Sequence, residues 1–99
     1  KEYTVQQKEA IERKAHDELA ALQRQIVELR GKVTKASDTT RAELQKSLHE
    51  IEKKKDGAKE RLDELKGATD AKWHEVQEGM TTALNELRQS YQKLLSHLP

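Results

Sequence analysis

The chain has 99 residues and a mass of 11.4 kDa, and it is 37% charged and only 33% hydrophobic, so it is too polar to bury a large globular core. It has no cysteine, which excludes disulfides, thiolate zinc sites and a cysteine nucleophile. Its 19 basic residues are interleaved with 18 acidic ones, which leaves no basic stripe that could bind nucleic acid. No stretch of even ten residues is free of charge, which excludes a membrane-spanning segment.

The first predicted helix covers residues 1–36. Apolar residues recur along it in steps of three or four, as on one face of a helix, and from Ala15 onward they repeat every seven residues, as in a left-handed coiled coil. These residues are Ile11, Ala15, Leu19, Leu22, Ile26, Leu29 and Val33. Residues 35–40 contain helix-capping residue types, and Thr40 with Glu43 has the spacing of a capping box. We therefore predict a turn at 36–40.

The second predicted helix covers residues 40–66 and also has a heptad stripe. Its apolar positions are Leu44, Leu48, Ile51, Ala58, Leu62 and Leu65. Lys55 occupies the one position of this stripe that is not apolar, so its ammonium must reach solvent past the core or pair with an acid. A polar residue at such a position also fixes register or oligomeric state in some coiled coils.

A second turn is predicted before the third helix, which covers residues 70–98. Gly67 suits the position that follows a helix ending at Lys66, and Thr69 or Asp70 suits the cap of the next helix. The third apolar stripe repeats every eleven residues, which is typical of straight or slightly right-handed helix packing. Its members are Trp73, Val76, Met80, Leu84, Leu87, Tyr91, Leu95 and Leu98.

These patterns predict an all-α fold in which residues 1–99 form a single coiled-coil domain, as an antiparallel helical hairpin or three-helix bundle. When the chain is folded at both turns, apolar residues of neighbouring helices face one another, and small Ala58 lies across from Met80. The alternative is long helices in an oligomeric coiled coil, because the stripe barely loses phase at Gly67 and residues 36–40 are compatible with helix.

Chemistry-bearing motifs are sparse, so we predict no catalytic residues, no cofactor-binding residues and no metal ligands. The four histidines lack the i, i+4 spacing of a helical metal pair: His16, His49, His74 and His97. The sequence has neither a Gly-x-Ser-x-Gly turn nor a glycine-rich phosphate loop, and its carboxylate pairs lie on solvated helix faces. The protein is therefore predicted not to be an enzyme and to need no cofactor.

Trp73 is the most informative single residue, and two interpretations of it are open. A ring of that size on a narrow apolar stripe buries much area, which favours a core plug at the start of the last helix. The other interpretation is an exposed anchor for a lipid surface or a partner protein.

The last third of the chain combines a tryptophan, a glycine and a Glu-Leu-Arg triplet that an aromatic residue follows: Trp73, Gly79, Glu86, Leu87, Arg88 and Tyr91. This pattern, within residues 62–93, resembles a widespread bacterial family of short, highly charged, all-helical coiled-coil proteins that are often labelled stress-response proteins. Leu84 stands where a second tryptophan is common in that family. The resemblance implies bacterial origin and a non-enzymatic role, and it implies no known chemistry.

Two classes of function follow. The first is a structural or interaction coiled-coil protein, stress-protective if the resemblance holds, that acts by self-association or by binding another helical protein. The second is an amphipathic-helix protein that opens and reversibly binds lipid or another hydrophobic surface at its periphery. No signal peptide is visible, which predicts a cytoplasmic location, although a chain that begins at Lys1 is also compatible with a removed signal peptide.

Overall fold

The computed structural model describes residues 3–98, and it is 91% helical. It consists of α1 (Val5–Thr34), α2 (Asp38–Gly67) and α3 (Asp70–Ser96), with no strand among the described residues. The chain reverses direction at both turns and forms a three-helix bundle that measures 51 × 18 × 17 Å. The predicted all-α antiparallel bundle is confirmed, and neither turn is bridged by a continuous helix.

The core is one continuous apolar stripe shared by the three helices. Every buried residue within 3–98 is hydrophobic, and no polar or charged residue is buried there. The stripes of α1 and α2 follow the predicted heptads. Among the three pairs of helices, α2 and α3 approach each other most closely, and α1 and α3 least. The buried residues of α1 are Ala15, Leu19, Leu22, Ile26, Leu29 and Val33, and those of α2 are Leu44, Leu48, Ile51, Ala58, Leu62 and Leu65.

The C-terminal part of α3 departs from the predicted eleven-residue repeat. Leu94 is buried, whereas Leu95, which that repeat places in the core, is 38% exposed. Trp73, Met80, Leu87 and Leu94 are all buried and lie seven residues apart. Because α3 packs against the heptads of α2, it keeps the same repeat along its length, so the eleven-residue interpretation is wrong.

The first turn is shorter than predicted, and the predicted capping box does not form. α2 begins at Asp38, two residues before the predicted start, and Ser37 is its N-cap residue. Ser37 makes no side-chain bond to the helix backbone; its Oγ donates instead to Oγ1 of Thr40 at 3.0 Å. Thr40 therefore lies inside the first turn of α2, where it cannot act with Glu43 as a cap.

Arg41 holds the first turn closed in place of a cap. Its Nη1 donates to the backbone oxygens of Thr34, at 3.3 Å, and Ala36, at 3.4 Å, and its Nη2 pairs with Asp38. The carbonyls at the end of a helix lack partners within the helix, and the guanidinium of Arg41 bonds that of Thr34 together with the turn carbonyl of Ala36.

The second turn also differs from its prediction. Gly67 is the last residue of α2 rather than a residue beyond it, and the chain leaves the helix at Ala68 with φ −72° and ψ 143°. No described residue has a positive φ, so Gly67 does not adopt the left-handed conformation typical of a glycine that follows a helix, and the predicted helix end at Lys66 is wrong by one residue. Thr69 is the N-cap of α3 without a side-chain cap bond, which leaves Asp70 as the acidic residue of the first turn.

The start of α1 has a capping box that the sequence analysis did not identify. Thr4 Oγ1 accepts from the backbone N–H of Gln7 at 3.1 Å, and the backbone N–H of Thr4 donates to Gln7 Oε1 at 2.9 Å. This box fixes the beginning of the helix at Val5. Positions 1 and 2, which the prediction included in the first helix, lie outside the described residues.

Candidate functional site

The histidines do not assemble a metal site. His16 and His49 are exposed; His16 Nδ1 lies 3.5 Å from a carboxylate oxygen of Asp17. His97 Nδ1 lies 2.7 Å from a backbone oxygen of its own helix, and His74 lies at the start of α3. Among residues 3–98 there is no group of three or more histidine and acidic side chains that could hold a metal ion.

An aromatic cluster joins the starts of α1 and α3. The Trp73 side chain is only 4% exposed, and the Tyr3 ring meets it edge-on with a centroid distance of 5.2 Å. Tyr3 also stacks on the His74 ring at 5.8 Å. Lys8 Nζ lies 5.5 Å from the Trp73 ring centroid and 2.6 Å from Asp70 Oδ1. Trp73 is therefore a buried core residue at the start of α3, as the first interpretation predicts, and it is not an exposed anchor in the closed bundle.

The Lys8–Asp70 pair fastens the outer side of this cluster. The hydrogen bond from the Lys8 ammonium, and then its positive charge, lower the pKa of the Asp70 carboxyl. The carboxylate is exposed to solvent, so the surrounding water screens the attraction. The pair links the N-terminal ends of α1 and α3 at the surface.

Lys55 lies on the stripe of α2, where the heptad places it. The side chain is half-buried, with 26% of its surface exposed, and its Nζ is 3.5 Å from Asp56 Oδ1. Its alkyl stem covers the apolar stripe while its ammonium stays near solvent and an acid. The ammonium of Lys55 therefore does both things that were predicted for it: it reaches solvent, and it lies beside an acid.

A shallow groove of about 260 Å³ lies along the seam between α1 and α3. Its apolar lining includes Ile11, Met80 and Leu84, and Arg88 crosses the seam to pair with Glu18 at 2.9 Å. Both partners of this ion pair are more than one-third exposed. The backbones of α1 and α3 approach each other less closely than those of the other helix pairs, and a solvent-screened ion pair spans this seam.

The outward side of α1 next to this groove is a nearly flat surface, here called the α1 outer face. It is lined by two alanines, two bases and two acids: Ala10, Arg13, Lys14, Asp17, Glu18 and Ala21. Lys14 and Glu18 also line the groove, so the two surfaces are continuous. A basic pair followed one turn later by an acidic pair is visible in the sequence, but only the bundle shows that these residues lie on the outward side of α1.

Comparison with protein-family models, with curated proteins and with solved structures finds no match to this chain. The resemblance of residues 62–93 to bacterial stress-response coiled-coil proteins therefore stays a prediction. Among the described residues, no helix has both the length and the apolar character to cross a membrane.

Proposed function

We propose that the protein is a non-enzymatic structural and interaction module that acts as a closed helical bundle and binds helical proteins through its polar outer faces. The observation that supports this most strongly is the location of the apolar stripe. Every buried residue within 3–98 belongs to the internal core, and the large hydrophobic residues exposed there are scattered: Val5 (71%), Val27 (59%) and Leu95 (38%). The heptads are already satisfied inside one chain, so partners must be bound by what remains outside.

The shape of the bundle supports a spacer role within this function. α1 and α3 run parallel, because their N-terminal ends meet where Tyr3 contacts Trp73 and Lys8 pairs with Asp70. Val5 and Ser96 consequently lie at opposite ends of a rod whose long dimension is 51 Å. Such a rod holds whatever is attached at its two ends at a fixed separation. A stress-protective role is the part of the proposal that rests on the resemblance alone.

A second candidate function is reversible binding to lipid by an opened bundle. The seam between α1 and α3, whose backbones approach each other least, favours it as the place where the bundle would open, because no buried polar bond within the described residues would have to break. The polar faces, however, carry acids and bases in nearly equal number, whereas helices that bind anionic lipid are enriched in bases.

The experiment that separates the two functions is to measure Trp73 fluorescence, helicity and co-sedimentation with anionic phospholipid vesicles. The closed-bundle function predicts an unchanged emission spectrum and no co-sedimentation. The variant Arg88→Glu, which would repel Glu18 across the seam, provides a control that is easier to open. If the wild-type protein binds vesicles with a shifted Trp73 emission, and Arg88→Glu binds more strongly, the closed-bundle proposal is overturned.

A further inference from the structure

We propose that the second turn is a hinge, at which α2 and α3 straighten into one continuous helix while two copies of the chain exchange their third helices. In the exchanged dimer, α3 of each copy packs against α1 and α2 of the other copy. This inference rests on the proposed spacer function, because it gives the rod a second, longer form.

The backbone of the second turn needs little change to become helical. Only Ala68 and Thr69 lie between α2 and α3, and their φ angles of −72° and −71° are already in the range of an α-helix. Their ψ angles, 143° and 163°, are extended. Rotation of these two ψ angles therefore converts the turn into helix.

The two turns differ in the bonds that hold them closed. At the first turn, the Arg41 side chain of α2 bonds the carbonyl of Thr34 in α1 and so ties the two helices together. At the second turn, Thr69 makes no side-chain cap bond, and the N–H of Ala68 donates to the Leu65 oxygen of its own helix at 3.2 Å. A continuous helix would pair the last carbonyls of α2 with the first N–H groups of α3, which have no helical partners in the bent chain.

The apolar stripe keeps its phase through the hinge. Leu62, Leu65, Thr69, Trp73 and Val76 follow one another in steps of three, four, four and three. At 100° per residue, all the buried residues of α2 and α3 would lie within an arc of about 100° on one straight helix. The straightened chain would therefore present one uninterrupted apolar face, which has to be covered by another helix.

A second copy is the partner that fits this face, because it brings the same complementary helices. Within the bundle, residues equally far from Thr69 on either side face each other: Leu44 and Leu94, each 25 positions away, line one groove between α2 and α3. Two straight helices that cross antiparallel at Thr69 repeat these pairs between copies. The contact of Tyr3 with Trp73 would then also form between copies, since α1 stays beside its own α2.

The exchanged dimer differs from the closed bundle in length and in its rate of formation. A continuous helix from Asp38 to Ser96 is about 90 Å long at 1.5 Å per residue, whereas the closed bundle measures 51 Å. Because α2 and α3 are the pair of helices that approach each other most closely, α3 must leave its best contacts before it exchanges. Exchange is therefore slow in the folded protein and fast near its melting temperature.

The test is to warm the protein to its melting temperature, cool it and measure mass and length. A concentration of about 1 mM is needed, because α3 of a second copy competes with the α3 that is tethered to the same chain. Light scattering after gel filtration should find a species of twice 11.4 kDa. Small-angle X-ray scattering should give that species a maximum dimension of about 90 Å.

Two substitutions at Thr69 test the hinge in opposite directions. Thr69→Pro suits the bent turn, because φ is −71° and the preceding Ala68 is extended, but it breaks a continuous helix. It should weaken the dimer at least about a hundredfold. Thr69→Ala should strengthen the dimer about tenfold, because alanine is a poor N-cap residue and the best helix former, and each dimer contains two copies of the change.

The matched control makes the proline change at the first turn. Ser37 is the N-cap of α2, with φ −62° and ψ 154°, so Ser37→Pro also fits the backbone. It should leave the amount of dimer unchanged, because the first turn stays bent in the exchanged form. Thermal melting of each variant checks that the bundle is folded.

A protein that stays at 11.4 kDa after this treatment, even as Thr69→Ala, would overturn the inference. A dimer that Thr69→Pro leaves intact, that Ser37→Pro abolishes equally, or that is no longer than the 51 Å bundle would also overturn it. In each of these cases, a Trp73 emission that ignores vesicles leaves the closed-bundle function standing. Opening on vesicles would overturn that function whatever the mass measured in solution.

Discussion

Replacing Lys55 by leucine should make the bundle more stable without changing its assembly. The residues that flank Lys55 on the stripe of α2, Ile51 and Ala58, are both buried. Lys55 itself leaves 26% of its side chain exposed and holds its ammonium 3.5 Å from Asp56. Its stem therefore already covers part of the core, and only its charged end prevents complete burial.

The size of the effect follows from this partial burial. Burying a leucine side chain completely contributes about 1.5–3 kcal/mol to the free energy of unfolding. Because the stem of Lys55 already excludes water from part of the same surface, we expect Lys55→Leu to add about 1–2 kcal/mol. In a domain of this size, each kcal/mol raises the melting temperature by about 4–8 °C.

Urea midpoints and sedimentation masses of both proteins test this expectation. Lys53→Leu is the matched control, because Lys53 lies on the exposed side of α2 and its replacement should change stability by less than about 0.5 kcal/mol. A Lys55→Leu protein that is less stable at unchanged mass would refute the placement of Lys55 on the buried face. A changed mass would instead show that the lysine excludes other assemblies.

Three further changes have expected outcomes. Trp73→Ala should lower the free energy of unfolding by about 3–5 kcal/mol in urea titrations, as for other buried aromatic truncations, and a loss within about 0.5 kcal/mol would contradict the plug. Gly57→Ala should raise stability by about 0.5–1 kcal/mol, because an added Cβ meets nothing within 4 Å in mid-helix; Ala42→Gly, at an exposed position of the same helix, should lower it by a similar amount. Asp70→Asn should destabilise the protein at neutral pH only. The lowered pKa of Asp70 means that its pair with Lys8 contributes above the ordinary carboxyl pKa and is lost as the pH falls through the lowered value, so the melting temperatures of the two proteins should converge as the solution is acidified through that range. A difference that persists in acid would show that the pair is not its cause.

The sequence predicted the core well where the heptads were regular and less well where two leucines were adjacent. In α1 and α2 the regular heptads on both sides decide which position is buried, even at the adjacent pair Ile26 and Val27, of which Ile26 continues the run from Leu19 and Leu22. Leu94 and Leu95 are neighbours, and either one continues a run of apolar residues from Leu84 and Leu87. The choice between them depends on the repeat of the partner helix, which is information that α3 alone does not contain.

The turns were located closely but explained incorrectly. Capping preferences describe single residues, whereas Arg41 closes the first turn with a side chain that starts one turn inside the following helix. Its bonds depend on where α1 ends and on the direction in which α2 leaves. The aromatic cluster is a similar case, because Tyr3 and Trp73 are seventy positions apart and meet only once α1 and α3 are parallel.

The α1 outer face shows why a surface is harder to predict than a core. Arg13 with Asp17 and Lys14 with Glu18 have the i, i+4 spacing of pairs within one helix, and that explanation requires no partner. The bundle shows that neither base makes such a pair among residues 3–98, and that Glu18 pairs instead with Arg88 of α3. The sequence pattern is unchanged, but its meaning depends on which side of the helix the core occupies.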